Sequence, residues 1–220
     1  MLDFRFNWPN ESPKILCLGA HSDDIEIGCG GTLLNICSQK IEPEIQWVVF
    51  SANKDRKKEA ISSANSFLAS IEKKNIIVHD FKENYFPYNG LQIKESFDEL
   101  GINFNPDLIF THHRLDLHQD HKLIYDLTLN TFRNHLVLEY EIPKYDGDLG
   151  SPHIFSFLDQ NSLDTKIKYI IKNFQTQKNK PWFTEETFRA LSRLRGIESR
   201  SPSGYAEAFH CRKMNISKIG

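Results

Sequence analysis

A chain of 220 residues is long enough for one substantial core, and 40% hydrophobic with 25% charged residues is an ordinary globular balance that excludes a disordered, collagen-like or heptad-repeat protein. A formal net charge of -2 without a long basic run argues against a nucleic-acid groove or an anionic membrane surface, leaving a small molecule as the expected partner. No run approaches the roughly 20 apolar residues of a membrane span, and residues 1–14 offer no apolar export segment.

The first element expected is a strand over residues 14–20, a short continuous apolar run of the kind buried on both faces of a parallel sheet, ending at His21-Ser22-Asp23-Asp24. A second apolar run, 45–50, precedes a stretch over 56–71 in which Ala60, Ile61, Ala64, Phe67, Leu68 and Ile71 recur at helical spacing. Short strands follow at 76–78 and 108–110, the latter introduced by Asn105-Pro106-Asp107, with helical patterns between and after. Strand–helix alternation implies right-handed crossovers and a mostly parallel sheet. The fold expected is α/β, a Rossmann-like three-layer α/β/α sandwich in a single domain spanning 1–220, with a small C-terminal extension.

Beyond residue 140 the pattern changes. Strands are expected at 136–142 and 154–158, joined by the turn chemistry of Pro143-Lys144-Tyr145-Asp146-Gly147-Asp148, a loop able to overhang a pocket. Two helices follow, one with Leu163, Ile167, Ile170, Ile171 and Phe174 on a face, the other opening at Thr184 with Glu185 and Glu186 at its positive end. Trp182 and Phe183 read as a packing pair, and Arg189, Arg193 and Arg195 as a solvated basic face, though both could close over a sugar or its anionic group. The four cysteines form no C-x-x-C pair, which points to reduced thiols and a cytoplasmic location.

Ligands of open α/β sheets bind beyond the carboxyl ends of the strands, and two polar clusters fall there. One is His21-Ser22-Asp23-Asp24-Ile25-Glu26; the other runs Thr111-His112-His113-Arg114-Leu115-Asp116-Leu117-His118-Gln119-Asp120-His121. If both strands are central, the loops meet and combine two histidines with a carboxylate, the ligand set of a catalytic metal with a position left for water. Such donors suit zinc and also accept iron(II), manganese or cobalt. Adjacent Asp23 and Asp24 would repel each other unless a cation or protons compensated, a further reason to expect a metal.

Ala20-His21-Ser22-Asp23-Asp24-Ile25-Glu26-Ile27-Gly28-Cys29-Gly30-Gly31 resembles the A-H-P-D-D-x-E-x-G-x-G-G signature of PIG-L/LmbE-like de-N-acetylases, and His118-Gln119-Asp120-His121 is similar to their H-x-D-H motif. Arg56-Lys57-Lys58-Glu59-Ala60 resembles the family's R-x-x-E-A segment, and the likeness reaches Gly204-Tyr205-Ala206-Glu207-Ala208-Phe209. The resemblance implies a zinc-dependent hydrolase that frees acetate and an amine from an N-acetylated sugar or sugar conjugate. It implies His21, Asp24 and His121 as metal ligands, Asp23 as general base, and His118, backed by Asp120, as the group assisting charge development and amine departure. Arg56 and Tyr205 are the expected substrate contacts, Tyr205 standing in for an oxyanion-binding Tyr where this chain has Asp116. Ser22 replaces the signature's Pro and loosens that loop.

Two other readings remain open. One is a hydrolase or amidase of a different acyl-amide, such as an antibiotic or a thiol precursor. The other is a non-catalytic Rossmann domain binding a nucleotide or sugar, with Gly28 to Gly31 cradling a phosphate. The partner expected in all three is a small molecule and not nucleic acid, and the chain is compatible with a homo-oligomer.

Overall fold

The protein is described from a computed structural model, which covers Trp8 and residues 12–215; most of the N-terminal stretch read above for an export signal lies outside the described residues. Strand β1 (Lys14–His21), helix α1 (Asp24–Cys37), β2 (Glu44–Ser51), α2 (Lys54–Phe67) and β3 (Lys74–Val78) lead to a 3-10 turn at Phe86–Asn89. Then come α3 (Gly90–Asn103), β4 (Leu108–His112), α4 (Gln119–Thr131), β5 (Leu136–Tyr140), β6 (Ile154–Phe157), α5 (Gln160–Asn173), α6 (Glu185–Glu198) and β7 (Ala206–Cys211).

One seven-stranded sheet runs β3-β2-β1-β4-β5-β7-β6. Pairings from β3 to β5 are parallel, whereas β7 lies antiparallel to both β5 and β6. The expected α/β sandwich is therefore observed, and the C-terminal region completes the sheet. Alternate strand residues feed two cores. Ile15, Cys17, Trp47, Val49 and Phe110 face α1, α2 and α5, while Leu16, Leu18, Val48, Phe50 and Ile109 face α3 and α4. No helix among the described residues is long and apolar enough to cross a membrane.

Gly28 allows α1 to lie against the sheet, since a Cβ there would sit 2.2 Å from Cδ2 of Tyr140. The Tyr140 hydroxyl in turn donates to the Leu18 carbonyl at 2.6 Å. These glycines do not make a phosphate loop: Gly28 to Gly31 lie inside α1, and the backbone N–H groups of Gly31 and Thr32 donate to the Glu207 carboxylate at 2.8 and 2.7 Å. Buried Lys166 completes that knot, donating to Glu207 and to the Ile27 carbonyl. It ties α1, α5 and β7 together, so β7 is fixed by buried polar contacts more than by an apolar period.

β1 and β4 are neighbours at the centre of the sheet. This places the loop after β1 beside the one after β4, which is the condition the sequence motifs require.

Candidate metal centre

β1 ends at His21, and the chain turns at once into α1. The His21 N–H donates to Asp24 Oδ2 at 2.7 Å, closing the turn, while Asp23 stands at the helix N-cap with no capping hydrogen bond from its side chain. Its carboxylate instead faces the guanidinium of Arg56, 3.4 Å away. Arg56 leaves the start of α2, where Asn53 caps the helix by accepting the Arg56 N–H. Across the cleft α4 begins at His118, whose Nδ1 accepts the Asp120 N–H at 3.2 Å.

Three donor atoms converge between these helix starts. His21 Nδ1 lies 3.1 Å from His121 Nε2, and Asp24 Oδ2 lies 3.4 Å from the first and 3.5 Å from the second. Each imidazole is fixed from behind. His21 Nε2 lies 3.2 Å from Asp120 Oδ2, and His121 Nδ1 lies 2.8 Å from Asp116 Oδ2. A carboxylate only accepts, so those outer nitrogens carry protons, while the inner pair shares one proton, on His21, when no ion is bound and would present lone pairs to a cation. Two ring nitrogens and a carboxylate oxygen at such short range could hold a cation among them. The spacing matches the roughly 3.4 Å edge of a tetrahedron with bonds of about 2.0–2.1 Å, and a carboxylate behind each ligating imidazole is the usual support of such a shell.

The wider cluster forms two overlapping trios with donor atoms within 4.8 Å of one another, His21/His118/His121 and Asp24/His112/His121. His112 Nε2 is already engaged, accepting the Ala20 N–H at 2.9 Å, and its ring stacks on His121 with centroids 3.9 Å apart. His113 turns away from the cleft and stacks on His210 at 3.7 Å.

The electrostatics favour positive charge at the centre. Burial pushes His21 down, but Asp24 and Asp120 outweigh it and leave the imidazole raised to about 10. His121 is pushed down to about 3 by burial and by neighbouring His112. Burial raises the Asp23 carboxyl against the pull of Arg56. His118 is lowered by burial and by His21, which leaves a neutral ring with Nε2–H as its donor.

A cleft of about 250 Å³ opens over this centre, lined on one side by His21, Asp23, Asp24, Arg56, His118 and His121, and on the other by Lys144, Tyr145, Lys180 and Trp182. Several sequence-based expectations change here. The Asp120 carboxylate holds His21, and it gives His118 only its backbone N–H, because the N–H groups of Asn84 (2.6 Å) and Phe86 (3.1 Å) pull it toward β1. Asn84 adopts a left-handed φ of 67° to aim that donor. Arg56 lines the cleft, but its donors go to Ser22 Oγ, Glu83 and Asp23; Ser22, the departure from the signature, thereby gains a buried partner.

Tyr205 does not line the cleft, and its ring lies 5.8 Å from the Arg193 guanidinium. Of the arginines expected to form a solvated face, Arg195 is buried in a bidentate pair with Glu141. The Trp182–Phe183 pair divides: Phe183 is core and Trp182 lines the cleft. Sequence reasoning missed Asp116 as the support of His121 and missed Lys144, which pairs with Asp116 at 3.0 Å. A carboxylate two residues before His118 was the available signal.

Residues 16–132 match the family described as GlcNAc-PI de-N-acetylase, PIG-L. Similar solved structures include the N,N'-diacetylchitobiose deacetylase of Pyrococcus horikoshii, 18% identical with a TM-score of 0.65 over 91% of this chain and 84% of that one. The 4-carboxy-2-hydroxymuconate hydratase GalB of Pseudomonas putida KT2440 is 16% identical, with a TM-score of 0.71 over 94% and 99%. The zinc-inhibited form of teicoplanin deacetylase Orf2 is 13% identical, with a TM-score of 0.69 over 90% and 97%. No curated protein sequence matches the chain.

Proposed function

Because the chain belongs to the PIG-L family of GlcNAc-PI de-N-acetylases, we propose that it is a zinc-dependent hydrolase that removes the acetyl group from an N-acetylated sugar or sugar conjugate. The fold by itself does not select this chemistry, since GalB, a hydratase, shares it. The family match and the donor set carry the reading. The single observation behind it is the convergence of His21 Nδ1, His121 Nε2 and Asp24 Oδ2, each imidazole backed by a carboxylate.

His21, Asp24 and His121 would hold the ion. When bound, a divalent metal of this kind polarises a carbonyl and makes water a nucleophile near neutral pH. Asp23 accepts a proton from the attacking water, a role suited to a buried carboxyl that burial raises above its ordinary range. Arg56 restrains that carboxylate without reaching for substrate. His118 donates its Nε2–H to the carbonyl oxygen as negative charge develops there. The proton held by Asp23 then passes to the departing nitrogen, leaving acetate and a free amine. Asp120 and Asp116 act one step back by fixing the ring orientation of His21 and His121.

Acetate release across N-acetylglucosamine, diacetylchitobiose, N-acetylated sugar conjugates and non-sugar acetamides tests the reading. Release confined to the sugar-bearing substrates is expected. Turnover of the non-sugar acetamides alone would shift the assignment to another acyl-amide hydrolase.

A further inference from the structure

Three cationic side chains line the cleft, and two are already neutralised. Arg56 is flanked by Asp23 and Glu83. Lys144 sits between Asp116 and Asp148. The Lys180 ammonium has neither an ion pair nor a hydrogen bond among the described residues, and it lies over the face of Trp182, with Nζ 5.4 Å from the ring centroid.

The position of Lys180 is fixed. It lies in the turn before α6, where its N–H donates to the Gln177 carbonyl at 2.9 Å and its own carbonyl accepts the Phe183 N–H at 3.0 Å. Trp182 is anchored by an edge contact to buried Phe183, with centroids 5.7 Å apart, and by the core beneath it. The result is a half-buried lysine and an indole beside the same cleft that holds the candidate metal centre. An ammonium at a cleft wall with no carboxylate in direct contact is available to pair with an anionic group of a ligand. Asp146, which also lines the cleft, is exposed to solvent, which screens it.

We propose that Lys180 and Trp182 form a specificity subsite for N-acetylated sugars carrying an anionic group, phosphate or carboxylate, with the indole packed on the sugar and the ammonium paired to the anion. This rests on the hydrolase reading above. It adds that the substrate is charged and names the residues that select it. A role for Lys180 limited to its charge near Asp23 would affect neutral and anionic substrates alike, whereas a subsite affects their ratio.

The test compares kcat/KM for acetate release by the metal-loaded full chain from four probes: methyl N-acetylglucosaminide, its carboxymethyl counterpart, N-acetylglucosamine 1-phosphate and N-acetylglucosamine 6-phosphate. At least one anionic probe should exceed the methyl glycoside by about 10-fold or more, as expected for a charge-assisted contact, and the arms identify which anion and which position. Lys180→Met should collapse that ratio, Lys180→Arg should retain it, and Trp182→Ala should raise KM for the preferred probe. No anionic preference in the unmodified protein, or a preference that survives Lys180→Met, overturns the subsite while leaving the hydrolase standing. Absence of acetate from every sugar would remove both.

Discussion

Nδ1 of His121 lies 2.8 Å from Oδ2 of Asp116, and that contact turns the Nε2 edge of the ring toward His21 and Asp24. The same carboxylate accepts the His118 N–H through Oδ1 at 2.8 Å and pairs with Lys144. Asp116→Ala removes the acceptor and frees the ring to turn. Metal affinity should fall by about 10- to 100-fold, the usual cost of losing such a support. Titration of chelator-stripped protein with zinc measures it, and an unchanged affinity would show that Asp116 has no hold on the site.

Asp23 pairs with Arg56, 3.4 Å away, and lines the same cleft as His21, Asp24 and His121. Asp23→Asn should keep the metal and lower turnover by roughly 100- to 10,000-fold, the range for a lost general base. Steady-state acetate release together with metal content separates this outcome from simple loss of the ion.

Asp120 gives the sharpest contrast between motif and geometry. Read as the backing of His118, its loss should depress turnover alone. Its carboxylate lies instead on His21 and on the N–H groups of Asn84 and Phe86. Asp120→Asn should therefore weaken metal binding and loosen the segment ahead of the 3-10 turn, which hydrogen exchange at Asn84 and Phe86 would register as faster exchange.

Away from the cleft, burial pushes the Glu141 carboxyl up, but His210, 3.8 Å away, and Arg195 outweigh it and hold it below the ordinary range. A lowered folded value adds stability above the unfolded value of about 4.3, and that stability is lost as pH falls through the folded value. Glu141→Gln should melt at a lower temperature at pH 7 and lose less of its melting temperature between pH 5 and pH 3. Thermal unfolding at the three pH values checks both signs.

The central sheet was legible because β1, β2 and β4 are unbroken apolar runs, as strands buried on both faces must be. The seven-residue register between β1 and β2 follows from them. β7 was not legible as a strand between β5 and β6, since Glu207 and His210 interrupt its pattern and their burial depends on Lys166 and on the His113 ring, far away in sequence. The proposed ligands stand in two motifs that the family resemblance picked out, and the structure brings these together: His21 and Asp24 close a tight turn, and His121 lies in the first turn of the helix that begins at His118. Their supports were not legible, because which carboxylate backs which imidazole depends on the path of residues 82–86 and of the loop holding Lys144. Lys180 and Trp182 carry no motif, and only the folded chain brings them to the cleft.

On the proposed mechanism, the His21, Asp24 and His121 donors hold one ion on which hydrolysis depends. Adding zinc stepwise to chelator-stripped protein while following acetate release from diacetylchitobiose tests it directly. Activity should be absent at the start, rise linearly and level off at about one ion per chain, and His121→Ala should show no such break. Full acetate release from the stripped protein, or an unaltered break in His121→Ala, would contradict it.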